Sequence, residues 1–253
     1  MLAWLVTAAV FWFLVARVLR APRARLALRR KPLGDWLLDL SGLLAQGVVV
    51  PFLQVALVAA ILRELLPGWA GSVTLPGNAL VVGFLLNVVV VDYLYYWNHR
   101  LLHSRALWPA HRVHHTLTEM DVFGTSRNTL WSSALILYLW VNGALIYLLE
   151  QPAGFVAGAT VTAALDLWRH SALGPRPGSA AYRLLSPWLI LPADHAWHHA
   201  DAEVFGNYGA NFKLWDRLHA TLIDTEERPP AMGVERLALW RELVWPFEPE
   251  RRK

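Results

Sequence analysis

The sequence predicts an all-α fold: a polytopic membrane bundle of about four to five spanning helices, with a histidine-rich helical cap on its cytoplasmic side. Three observations carry this. Apolar residues make up 56% of the 253-residue chain and charged residues only 17%, against about 45–50% and about 25% in soluble domains. Uncharged stretches of roughly spanning length recur along the chain. Cations gather in two of the connecting segments, as the positive-inside rule expects of cytoplasmic loops. This composition excludes disorder and an ordinary water-soluble domain. It also turns the net charge of +4 into a sign of loops facing a cytoplasmic leaflet, with no nucleic-acid partner implied.

Residues 1–16, MLAWLVTAAVFWFLVA, hold no charge and run into arginines instead of a small-residue cleavage site. They read as a retained first span and not as a signal peptide. Residues 41–62 form the second span, interrupted by Pro51, which membrane helices tolerate. Residues 76–91 form the third and close on the aromatic run DYLYYW. Residues 128–149 and 151–165 read as a hairpin around Glu150-Gln151-Pro152, its second arm short for a full crossing. Between the first two spans lie Arg17, Arg20, Arg23, Arg25, Arg29, Arg30 and Lys31, so that loop is placed in the cytoplasm. Counting spans onward puts residues 98–127 and everything after Arg169 on the same face.

The expected organisation is a single integral-membrane domain. Residues 1–97 hold three spans, 98–127 two histidine boxes, 128–169 the hairpin and 170–253 the cap. Residues 233–247 read as an amphipathic surface helix. Twenty arginines against three lysines hint at GC-rich coding, hence a bacterial plasma membrane, with an endoplasmic reticulum left open.

With no cysteine, any metal must be held by nitrogen and oxygen. All ten histidines fall between residues 99 and 219, and eight occupy three short boxes. NHRLLHS carries His99 and His103; HRVHHT carries His111, His114 and His115; DHAWHHAD carries His195, His198 and His199. Spacings of three and four share a helical face, so each box is expected to aim its imidazoles at a common point. His170 stands alone after the hairpin but returns to the same face, whereas His219 reads as an ordinary interfacial polar group. Nine imidazoles exceed one tetrahedral zinc or one haem and suffice for two metals at about four each. Two adjacent metals beside a bilayer suit activation of dioxygen for attack on a lipid. Asp166 and Asp194, with Asp201 and Glu203 behind them, are candidate acceptors for the outer imidazole N–H groups. A metal-binding or metal-transporting membrane protein is the competing reading. It is disfavoured because transporters place such ligands near the midplane of their spans, and these boxes flank them.

An H-x-x-x-H box, an H-x-x-H-H box, a hydrophobic hairpin and a final H-x-x-H-H leading into N-Y-G and W-D resemble the fatty acid hydroxylase and sterol desaturase superfamily of membrane di-iron oxygenases. The matching text is YYWNHRLLHS, LWPAHRVHHT and DHAWHHADAEVFGNYGANFKLWDRLHAT. The resemblance implies two iron ions held by the eight box histidines and His170, with dioxygen as co-substrate. It further implies hydroxylation or desaturation of a C–H bond in a fatty acyl chain, sterol or related lipid from the bilayer. Electrons would come from a separate protein of ferredoxin or cytochrome type. The basic surface of Arg100, Arg105, Arg112 and the first loop reads first as attraction to anionic lipids and second as a dock for an acidic carrier. Many members carry a further histidine shortly after the second box, where this chain has Asn128, grouped here with Asp166 and Asp194 as a support.

Overall fold

The computed structural model describes residues 2–201 and 206–247. Among them the regular structure is helical, apart from three isolated bridges. Three helices are long and apolar enough to cross a membrane: α1 (Leu2–Arg20), α3 (Leu33–Leu65) and α4 (Ala79–Leu102). Between α1 and α3, the arginine-rich loop is itself helical, α2 (Pro22–Arg30), with only Leu28 buried. Shorter helices follow: α5 (Leu137–Leu148), α6 (Ala153–Arg169), α7 (Pro192–His198) and α8 (Lys213–Leu218). Apolar side chains along α1, α3 and α4 that stay exposed, such as Phe13, Phe52, Leu57 and Leu85, are the surface a bilayer covers. The chain is an integral membrane protein.

Both α3 and α4 widen into π turns, at Ala45–Val49 and Leu86–Val91. Each π turn presents a buried amide to the segment that follows box 2. Gln46 Nε2 donates to the Thr129 carbonyl (2.8 Å) while its Oε1 accepts from Ser133 N (3.1 Å). Asn87 Nδ2 donates to Asn142 Oδ1 (3.1 Å). Asn98 Nδ2 donates to the Leu135 carbonyl, and Asn98 Oδ1 accepts from Leu137 N. Gln46 and Asn98 thereby satisfy backbone groups of 129–137, a segment whose own regular structure is the short 3-10 turn Ser132–Leu135. The expected spanning arm over 128–149 is therefore a run of turns followed by α5, whose 12 residues cover about 18 Å of the roughly 30 Å hydrocarbon core.

Helix α6 lies against α4 through glycines at its own start. A Cβ at Gly154 would collide with the Leu80 carbonyl, and one at Gly158 would lie 2.7 Å from Asn87 Cβ. This is the small-residue spacing that lets membrane helices approach closely. Gly154→Leu is expected to lower stability by at least about 1–3 kcal/mol, the usual cost of overpacking. A thermal scan in detergent checks this, and an unchanged midpoint would mean the two helices can separate without cost.

Contacts define the two ends of the bundle. At one end Glu150 N donates to the Val73 carbonyl (3.0 Å) and Thr74 Oγ1 to the Glu150 carboxylate (2.8 Å), so the α5–α6 turn meets the α3–α4 loop. At the other end a buried ion cluster gathers distant segments. Arg127 pairs with Asp39 (2.5 Å), Lys31 with Asp39 and Asp121, and Arg236 with Asp35 and with Glu242 (2.6 Å). Arg236 thereby fixes the tail to α3. Only Leu239–Val244 of that tail is helical, and Trp131 Nε1 donates to the Val244 carbonyl (2.7 Å). The expected amphipathic helix over 233–247 is thus a mostly extended strap on the protein. All three histidine boxes lie at this second end, with α2.

Candidate metal centre

Box 1 closes α4, with His99 in its last turn and His103 just past its end. Box 2 is not one helix: His111 ends the turn Trp108–His111, and His114 begins a separate 3-10 turn, His114–Thr116. Box 3 is α7 with His199 directly after it. The Asp194 carboxylate accepts from Leu191 N (2.8 Å) and pairs with Lys213 (2.9 Å). It therefore pins the start of α7, through a backbone N–H and an ammonium and not through an imidazole.

Two groups of histidines result, and boxes 2 and 3 are each divided between them. His99, His103, His111, His115 and His198 form one; His114, His170, His195 and His199 form the other. Within each group the ligand nitrogens lie within 4.8 Å of one another. Box 2 sends its first and last histidines to the five-membered group and the middle one across, and box 3 does the reverse. The groups touch: His115 stacks on His199 with ring centroids 4.5 Å apart. The sequence reading of one common point per box is corrected to two points shared by both.

Nitrogen chemistry explains what the groups can hold. The outer Nδ1 of His99 donates to the Tyr208 carbonyl (2.8 Å), that of His198 to Gly206 (2.8 Å), that of His114 to Arg127 (3.3 Å) and that of His170 to Asp166 (2.9 Å). A neutral imidazole that donates through Nδ1 carries a lone pair on Nε2. Yet Nε2 atoms face one another: His170 to His114 at 3.2 Å, His195 to His170 at 3.0 Å, His99 to His111 at 3.1 Å and His103 to His198 at 3.3 Å. His114 and His170 both spend their Nδ1 proton outward, so no proton lies between them and two lone pairs converge. A cation relieves this. Imidazoles about 2.0–2.1 Å from one ion have neighbouring nitrogens about 3.0–3.4 Å apart, so the spacing fits a metal in each group. Neither group contains a carboxylate among the described residues.

Burial, and then repulsion between neighbouring rings, disfavours the charged imidazoles. It holds His111, His114, His115, His195 and His199 well below the ordinary value. His198 is lowered to about 4 and His103 to about 2. These rings stay neutral and ready to ligate at neutral pH.

Asp166 sits 3.2 Å from His170 Nδ1 and 2.5 Å from Arg169, a carboxylate directly behind a group member. Half-buried Asn128 follows Arg127, whose carbonyl supports His114. Asp201 is exposed and meets Ala231 through its backbone, and Glu203 lies outside the described residues. His219 belongs to neither group; its Nε2 meets Tyr93 Oη at 3.1 Å.

Sequence reasoning left the loop behind the site without a role. Asn207 adopts φ +54°, a region asparagine tolerates better than most residues. Its amide donates to the Asp194 and Ile223 carbonyls (2.8 and 3.1 Å) and accepts from Ile223 N (2.8 Å). Asp216 accepts from Tyr208 N (2.9 Å) and Gly209 N (2.8 Å), and Asp92 accepts from Trp215 Nε1 (2.7 Å). N-Y-G and W-D thus form a brace that aims the Gly206 and Tyr208 carbonyls at His198 and His99. Asn207→Gly keeps the backbone conformation and removes the amide. We expect it to weaken metal retention about 10–100-fold, the usual cost of losing the support of a ligand, as read by chelator competition. Unchanged retention would reduce the loop to packing.

A family model described as fatty acid hydroxylase matches residues 84–221, an interval that contains all nine grouped histidines. The ornithine lipid hydroxylase OlsE of Rhizobium tropici is 33% identical over 145 residues, 54% of this chain and 40% of that protein. The alkylglycerol monooxygenase of Xenopus tropicalis is 23% identical over 148 residues, 56% of this chain and 31% of that protein. Its human counterpart is 25% identical over 146 residues, 54% of this chain and 30% of that protein. The chain spans well under half the length of these curated relatives. No solved structure matches it. Because the family match covers more than half of the chain and ends just past the N-Y-G and W-D brace, the protein belongs to the fatty acid hydroxylase family.

Proposed function

We propose that the protein is an oxidoreductase, a lipid monooxygenase that holds one iron ion in each histidine group and hydroxylates a C–H bond of a bilayer lipid. The observation that carries this is the pair of buried nitrogen-only groups, in one of which the lone pairs of His114 and His170 converge. The relatives named as hydroxylase and monooxygenases favour hydroxylation over desaturation. Iron at these positions supplies dioxygen activation when it is reduced by electrons from a separate carrier of ferredoxin or cytochrome type. The chain's own residues do the rest. The carbonyls of Tyr208, Gly206, Arg127 and Asp166 fix four imidazole tautomers. Neutral nitrogens leave the metal charge undiminished, and burial keeps bulk water away from the reacting bond. The cations of α2 share an end with the boxes, which supports placing the site on the cytoplasmic face; the arginine-rich composition favours a bacterial plasma membrane.

Protein purified anaerobically in detergent is expected to hold about two irons per chain by elemental analysis and Mössbauer spectroscopy. On reduction in the presence of lipid it is expected to incorporate one atom of labelled dioxygen into that lipid. Zinc in both groups after iron reconstitution, or iron with no oxygen uptake on any lipid, would sink the reading and favour metal binding or transport.

A further inference from the structure

Behind box 2 lies a cavity of about 340 Å³ that the histidine groups do not use. Helix α2 forms one wall and residues 117–121 the other. Its floor is the near side of the buried ion cluster, where two cations (Lys31 and Arg127) and two carboxylates (Asp35 and Asp121) line the cavity and pair with Asp39, Arg236 and one another. That floor offers no spare positive charge.

Three charged residues of the lining stand outside the cluster: Arg23 and Arg30 on α2, and Glu119 opposite. All three are exposed, and none has an ion-pair partner among the described residues. Arg23 and Arg30 are two helical turns apart and share a face, with Leu26 and Ala27 on that face between them. Val18, at the end of spanning helix α1, belongs to the same lining with Leu26 and Met120. The cavity therefore sits where a spanning helix leaves the hydrocarbon, apolar at one level and charged with both signs at the next.

We propose that this cavity binds the zwitterionic headgroup of a polar lipid, its acidic group between Arg23 and Arg30 and its ammonium at Glu119. A purely anionic headgroup would meet Glu119 and a floor whose two cations are already matched by two carboxylates. The inference deepens the lipid-oxidation reading, on which it rests for the identity of the lipid as substrate. Leu117 of the cavity wall follows the turn that carries His114 and His115. The Arg127 of the floor supports His114 through its carbonyl. A headgroup held here anchors its acyl chains beside the metal centre.

Native mass spectrometry of the full chain in detergent, titrated with dioleoyl phosphatidylethanolamine or dioleoyl phosphatidylglycerol, tests the proposal without oxygenation. The wild type is expected to favour the ethanolamine lipid, and R23E/R30E to bind it about tenfold more weakly, the scale of lost charge-assisted hydrogen bonds. Glu119→Gln is expected to erase only the preference between the two lipids. Metal content, measured alongside, should not change in either variant. Equal binding by wild type and R23E/R30E, or a preference for phosphatidylglycerol that Glu119→Gln leaves intact, overturns the site. Headgroup-selective binding by a protein that oxidises no lipid keeps the site and removes the catalytic reading. Lipid oxidation with no headgroup selectivity does the opposite.

Discussion

Replacing His195 and His199 together with alanine is expected to empty one metal position and spare the other. The two residues supply half of the four-membered group, while His198, lying between them in sequence, belongs to the five-membered group. Two remaining imidazoles cannot hold an ion against water, whereas the partner group keeps all five nitrogens. Metal content should fall from about two ions per chain to about one. The reciprocal set, His103→Ala, His111→Ala and His115→Ala, likewise leaves two imidazoles in the five-membered group and should also leave about one ion, now in the other group. Lipid oxidation should drop more than about 100-fold in both, beyond the loss that accompanies damage to a ligand's support alone. Elemental analysis beside a spectroscopic probe of iron separates the cases. If either variant lost both ions, the groups would be one cooperative site. If neither lost any, the nitrogens named here would not be the ligands.

That experiment depends on something the sequence did not display. Spans are legible because hydropathy is local: the uncharged stretches 1–16, 41–62 and 76–91 fall on α1, α3 and α4, though α3 starts earlier and α4 runs further than the stretches do. The boxes are legible because their spacing is local too. Their division is not. His111 and His114 are separated by a break between two short turns, and even along the continuous α7 His195 and His198 go to different groups, so the one-face rule misplaces a histidine in each of boxes 2 and 3. The failure at 128–136 has the same character. An apolar stretch that reads as helix is claimed by Gln46 and Asn98, side chains 83 and 37 residues away in sequence. The pairing of Arg127 with Asp39 spans 88 residues, and no periodicity announces it. Asn207 was visible within N-Y-G, but its task, holding a left-handed turn so that neighbouring carbonyls reach two imidazoles, required the fold.

Acid should unfold the metal-stripped protein far more readily than the loaded one. Burial holds seven histidines, His103, His111, His114, His115, His195, His198 and His199, below the ordinary imidazole value in the fold. The unfolded chain therefore binds protons from about pH 6.5 downward, while the folded chain declines them until much lower, near 4 for His198. Because the unfolded state takes up more protons in that window, stability is full above about pH 6.5 and is lost as the pH falls through it. Each such histidine contributes a slope of up to about 1.4 kcal/mol per pH unit. Seven together set an upper bound near 10 kcal/mol per pH unit, as large as the entire stability of many domains. The expected result is a thermal midpoint that falls steeply between pH 6.5 and 5 after chelation in detergent, and changes little over that range with metal bound, because binding to the folded state alone opposes proton uptake. The same scan on the His195→Ala, His199→Ala double variant should show a shallower fall, since two of the reluctant imidazoles are gone. A midpoint independent of pH in the stripped protein would mean that water reaches the histidines, and the dry, neutral nitrogen cage on which the proposed chemistry relies would have to be given up.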